Sequence, residues 1–139
     1  IEADWWGVTH YGYNVMYVGG YGDYGEASAL ASPFAAKMTK EPSSLARIPR
    51  PAETALFADV AASYPEPARY PWLFPPSADW SATAHARHLE TCNVVFVDGH
   101  VKAMRVHYLP SATTEERAMH LGYLSSSGDL STDSLYWAD

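Results

Sequence analysis

The feature that most restricts how this chain can fold is the run from Asn93 to Leu109, in which two strand-like stretches are split by Asp98-Gly99. Asp-Gly in that place is a strong hairpin signal, because a two-residue type I′ turn needs positive φ at both central positions. The pattern predicts antiparallel strands over Asn93–Val97 and Val101–Leu109, with Val97 opposite His100, Phe96 opposite Val101 and Val95 opposite Lys102. Val94 to Val97 is apolar without a break, so part of the first strand is expected to be buried on both faces. A third strand fits Ala55–Ala58, a short apolar run that follows a proline boundary at Pro51.

Elsewhere the signals are shorter. Tyr11, Tyr13, Val15 and Tyr17 alternate with Gly12, Asn14 and Met16, which reads as a strand with one ring-bearing face, broken by Gly19-Gly20 and Gly22. Ala27 to Lys40 carries Pro33 in its middle and reads as a loop or a short helix after the proline. Ser43 to Ile48 fits one helical turn capped by a serine and stopped by Pro49. Tyr64 to Trp80 holds Pro65, Pro67, Pro71, Pro75 and Pro76 and is expected to be an extended surface loop. Thr113 to Tyr123 has helical character, with Thr113 or Thr114 as N-cap and Glu115-Glu116 in the first turn.

Composition narrows the class. A chain of 139 residues is the size of one domain, spanning 1–139. A net charge of −7 disfavours phosphate-backbone binding, so no nucleic-acid partner is expected. Apolar residues make up 47%, enough for a core. No apolar run exceeds four residues, against the ~20 of a spanning helix, so these residues contain no membrane span or secretory signal. Cys92 is the single cysteine, which rules out an internal disulfide and a cysteine-cluster metal site. Ten Tyr, five Trp, ten Pro and nine Gly describe a loop-rich body pinned by large rings, a composition that leans toward extracellular or envelope proteins.

Several residue sets could carry chemistry. His88, Asp98, His100 and Asp59 are of the types that bind zinc or serve a metal-dependent hydrolase. A strand of roughly 17 Å between His88 and His100 argues against their convergence. His100 also shares a face with Lys102, a poor companion for a cation. The favoured reading gives His88 a structural hydrogen bond, to a backbone carbonyl or to Asp98. In the tail, Asp129 and Asp133 with Ser131 and Thr132 offer hard oxygen ligands of the kind calcium takes, but the ordered spacing of an EF-hand is absent. Trp5, Trp6, Trp72 and Trp80 could form a sugar-stacking platform, against the alternative that they lock loops onto the sheet. No G-x-S-x-G, H-E-x-x-H, P-loop or dinucleotide motif occurs, so no enzyme and no cofactor are expected, calcium in the tail being the alternative.

Three ordered segments resemble one family. Arg87-His88, then nine residues, then Asp98-Gly99-His100-Val101 (RHLETCNVVFVDGHVK) is similar to the H-x(9)-D-G signature of prepilin-type proteins. Ile48 to Asp59 (IPRPAETALFAD) and Tyr11 to Gly20 (YGYNVMYVGG) are similar to that family's P-x-E-T-x-L-F-A-D and Y-G-Y-N stretches. The resemblance implies a pseudopilin-like subunit of a type II secretion or type IV pilus-like filament, located at a Gram-negative-type cell envelope or outside the cell. It implies an α+β pilin-like head with a small antiparallel sheet and long Pro-, Gly- and aromatic-rich loops. His88, Asp98, Gly99 and His100 become structural motif residues. Family members assemble through a long apolar N-terminal helix into filaments with their own copies and other pilin-type subunits, and touch the membrane only through that helix. This sequence lacks such a helix and is read as a head cut from a longer protein. The alternatives are an extracellular carbohydrate-binding module using exposed Trp and Tyr, and a metal-dependent hydrolase.

Overall fold

The structure, a computed structural model, describes residues 10–19, 43–62, 70–78 and 82–136. Trp5, Trp6, Trp80 and the stretch from Ala27 to Lys40 lie outside the described residues. The rest form six strands: β1 (Tyr11–Tyr13), β2 (Ala55–Asp59), β3 (Ala84–His85), β4 (Thr91–Phe96), β5 (Val101–His107) and β6 (Leu121–Leu124). One short helix, α1 (Thr114–Ala118), precedes β6. The strands make one antiparallel sheet in the order β1-β2-β4-β5-β6-β3. The sheet curls until β3 meets the residue after β2: Val60 bridges Ala84, and the Ala61 N–H donates to the Thr83 carbonyl at 3.0 Å. The described residues are therefore a small, β-rich, curled sheet.

Small inward residues make this curl possible. Ala55, Ala58, Ala84 and Ala86 are buried beside Val94, Phe96, Met104 and Val106, and the space they leave is filled from the tail by Tyr136, wholly buried. The Tyr136 hydroxyl accepts from the Leu124 N–H at 3.1 Å, and the Leu135 carbonyl accepts from the Ala55 N–H at 2.7 Å. Asn14, also fully buried, donates from Nδ2 to the carbonyls of Ala55 and Tyr136, both at 2.8 Å. One side chain thus joins the end of β1, the start of β2 and the tail.

The hairpin stands where the sequence places it, with its register shifted by one residue. Val95 lies opposite Val101 and Val94 opposite Lys102. The turn is the three-residue loop Val97-Asp98-Gly99, closed by the Phe96 N–H on the His100 carbonyl and the Gly99 N–H on the Phe96 carbonyl, both at 2.9 Å. Only Gly99 is left-handed (φ +94°), so the turn is not type I′. A type I turn followed by one αL residue suits the same Asp-Gly pair, which is why the dipeptide alone could not choose. Burial along β4 alternates, with Cys92, Val94 and Phe96 inward and Val95 half-buried, rather than covering both faces.

Four other expectations are corrected. Leu121–Leu124 is a strand, not the end of a helix: α1 stops after Ala118, and β6 lies so close to β5 that a Cβ on Gly122 would strike the His107 carbonyl and the Val106 side chain. The alternating Tyr run leaves the sheet after Tyr13, because Asn14 turns into the core. The proline-rich segment is not a surface loop over its described part, since Leu73 and Phe74 are buried and Leu73 bonds to the Tyr13 carbonyl at 2.9 Å. The apolar run Ala55–Ala58 is not inward throughout, since Phe57 faces outward at 38% exposure after a bulge in β2. The local signals held better. Thr113 is the N-cap of α1 with Glu116 completing a capping box, and the turn at Leu45–Arg47 follows Ser44, whose side chain makes no cap bond.

Candidate functional site

A carboxylate at the end of an apolar strand must find partners or lose its charge. Asp59, last in β2 and 1% exposed, finds three. The Asn93 N–H donates to its Oδ2 at 2.7 Å, His88 Nε2 stands 3.3 Å from the same oxygen, and Arg87 Nε lies 3.8 Å from Oδ1. Arg87 also donates to the Val60 carbonyl at 2.7 Å, binding the residue that follows β2. Asp59 is the acidic end of the Ala55–Asp59 strand, so the Asp of one resembling segment holds the His of another.

Arg87 and His88 are presented by a tight turn. His88 and Thr91 exchange both backbone hydrogen bonds, at 3.0 and 3.1 Å, around Leu89 and Glu90. Both central residues have positive φ, +52° and +67°. These are two consecutive left-handed residues, and neither is the glycine or asparagine that such turns favour. Leu89 is 97% exposed. Glu90 Oε1 lies 3.4 Å from His120 Nδ1.

His88 and His100 do not converge. His88 is on Asp59 at the start of β4, while beyond its other end Asp98 Oδ1 takes the His100 Nδ1 contact at 2.6 Å. The His100 side chain, by hydrogen-bonding Asp98, holds that carboxyl below its usual pKa. His100 also stacks on Phe96, with centroids 4.3 Å apart. The expected partner of His88, Asp98 or a backbone carbonyl, is thus replaced by Asp59. The sequence signal for this was an acidic residue closing an apolar run, which is otherwise an expensive place for a charge.

The tail residues are engaged separately. Asp133 accepts from Tyr17 and from the Ser77 hydroxyl, and from the Ser77 N–H at 3.1 Å. Asp129 accepts from the Ser131 N–H at 2.8 Å, and hydrogen bonding from Ser131 lowers its pKa. Among the described residues no group of three or more His, Cys, Asp or Glu could hold a metal ion. Of the four candidate tryptophans, the described one, Trp72, packs half-buried against the Val15, Met16 and Phe74 cluster. Burial raises the Cys92 thiol to about 12, which keeps it protonated and inert.

No helix of the described residues is long and apolar enough to cross a membrane. In comparison with known proteins, no family model, no curated protein and no solved structure matches this chain.

Proposed function

We propose that this chain is a structural protein, the α+β pilin-like head of a pseudopilin-like subunit in a type II secretion or type IV pilus-like filament at the bacterial cell envelope. The observation that carries the reading is where the resembling segments meet. Asn14 of the first bonds to Ala55 of the second, and Asp59 of the second binds His88 and the Asn93 N–H of the third. The polar residues that mark the resemblance tie strands together, which suits a filament subunit that must bear tension. The filament itself would be driven by an apolar helix outside these residues, with other pilin-type chains as partners. No cofactor enters this reading.

The test is made on the complete gene product in its host. An epitope-tagged chain is expected in filaments sheared from the cell surface, and its complete reading frame is expected to encode an apolar segment of about 20 residues ahead of the head. A tagged product that lacks such a segment and never sediments with envelope or filaments would overturn the reading. Without that helix, the head by itself should scatter light as a monomer or a weakly associating species.

A further inference from the structure

An antiparallel strand bonds to one neighbour through every second residue and leaves the residues between to its other neighbour. In β5 the phase is set by the Phe96 N–H on the His100 carbonyl. Val94 lies opposite Lys102 and Cys92 opposite Met104, so the backbones of Lys102 and Met104 face β4 and those of Val101 and Ala103 face away from it. On that far side β6 begins its pairing only at Val106, opposite Leu124, and His107, opposite Tyr123. Among the described residues nothing bonds to the N–H or C=O of Val101 or Ala103. Val101, Lys102, Ala103 and Arg105 are all exposed. Other borders of the sheet are occupied: Pro71 and Leu73 bond to Tyr13 of β1, and Ala61 bonds to Thr83 beside β3.

An open edge is a template for a further strand, and its side chains decide which strands it accepts. Here they are Lys102 and Arg105, and among the described residues neither makes a hydrogen bond or an ion pair. Arg50, Arg87 and Arg117, by contrast, are engaged by Glu53, Asp59 and the Tyr108 ring. Two copies of this edge laid together would crowd their cations into one ribbon, which disfavours self-pairing. A strand with carboxylates opposite the two cations has the reverse balance. The net charge of −7 gives no general pull on acidic chains, so the choice rests on register. Lys102 and Arg105 are three positions apart and therefore point to opposite faces of the sheet, which fixes the same spacing for the acids that meet them.

We infer that the outer edge of β5, over residues 101–105, receives an extended segment of another protein that carries two acidic residues three positions apart. The segment adds a strand to the sheet, its backbone bonding to Val101 and Ala103 and its carboxylates meeting Lys102 and Arg105. Main-chain bonds supply the attraction common to any strand, and the two charges supply the selection. The inference goes beyond the filament reading, since it requires neither an apolar helix nor a second copy of this chain.

The test titrates the 139-residue chain with two synthetic peptides, acetyl-TEVTEVT-amide, whose glutamates have that spacing, and acetyl-TKVTKVT-amide. The acidic peptide is expected to slow amide hydrogen exchange at Val101 and Ala103, to shift the resonances of residues 101–105, and to bind roughly ten-fold tighter than the basic one. Combining Lys102→Glu with Arg105→Glu should reverse the order of the two peptides. Ala103→Pro removes an N–H that faces the added strand, at an edge position where proline is tolerated, and should weaken the acidic peptide several-fold. The charge-reversed chain decides the matter should the proline variant fail to fold. Unchanged exchange at Val101 and Ala103, or the same order of peptides on the parent and the charge-reversed chain, would overturn the inference. So would protection of these amides that grows with protein concentration in the absence of peptide, which would assign the edge to a second copy. None of these outcomes bears on filaments, which are tested on the complete gene product, so the two proposals fail separately.

Discussion

At Asp59 a single oxygen receives both a backbone N–H and the His88 ring, and that makes the pair measurable. A double-mutant cycle of Asp59→Asn and His88→Ala under urea unfolding should show a coupling of about 0.5–3 kcal/mol. The cycle of Asp98→Asn with His88→Ala should be additive within about 0.5 kcal/mol, because the Asp98 carboxylate is bound to His100 instead. Coupling in the second cycle and none in the first would reverse the pairing described above.

His85 makes a prediction of the opposite kind. Its Nδ1 is buried without a hydrogen-bond partner. Burial lowers its pKa first, then the Arg87 charge, with His120 and His10 adding to the effect and Asp59 opposing it. The folded-state pKa therefore lies below the unfolded value of about 6.5. As pH falls through 6.5 the unfolded chain takes the proton first, so this group's share of stability is complete above that pH and declines below it, until the folded pKa is passed. Urea midpoints at pH 7.5 and 5.5 should differ less for His85→Gln than for the parent. The His88–Asp59 and His120–Glu90 contacts are common to both proteins and cancel in that comparison.

Among the elements, the two turns that flank β4 respond oppositely to glycine. Gly99 (φ +94°) has no atom within 4 Å of where a Cβ would stand, so Gly99→Val meets no clash and its cost is conformational, about 1–3 kcal/mol. Leu89→Gly at φ +52° should instead stabilise the domain by about 0.5–1 kcal/mol, the αL penalty less the entropy of glycine. Chemical denaturation of both variants checks the signs. This pair also shows what the sequence could and could not reveal. The β4–β5 hairpin and the Thr113 cap were legible because their signals are local: Asp-Gly between strand-like runs, and threonine three residues before glutamate. The Leu89-Glu90 turn carried no turn residue, so nothing local announced it. β6 was hidden in a helical reading because the capping box at Thr113 has no say over where its helix ends. The partner of His88 lay 29 positions away on another strand, beyond the reach of any spacing argument.

Over the whole molecule, Tyr136 is the side chain on which the curled sheet closes. Burial pushes its phenol well above the ordinary tyrosine range, and its hydroxyl answers a backbone N–H of β6. Tyr136→Phe keeps the ring but strands the Leu124 N–H, at a cost of about 1–3 kcal/mol. Tyr136→Ala also opens a cavity among the small alanines and should cost about 3–5 kcal/mol, the range for deleting a large buried ring. Thermal or urea unfolding that cannot tell Tyr136→Ala from the parent would mean the tail does not complete the core. A sequence reading could see only that the tail turns aromatic after a polar stretch; that it returns to the first strand is a property of closure.

The bond from Asn14 to the Tyr136 carbonyl joins residues 122 positions apart, and that separation governs timing. Contacts so distant in sequence make for slow folding, since a long loop must close before they reward it. During synthesis, a chain that has emerged only as far as β5 has its small inward residues and no Tyr136 to fill the space between them. It cannot settle into a native core early. Folding is therefore finished late, once the tail is present to fill that space and close the longest loop in the molecule.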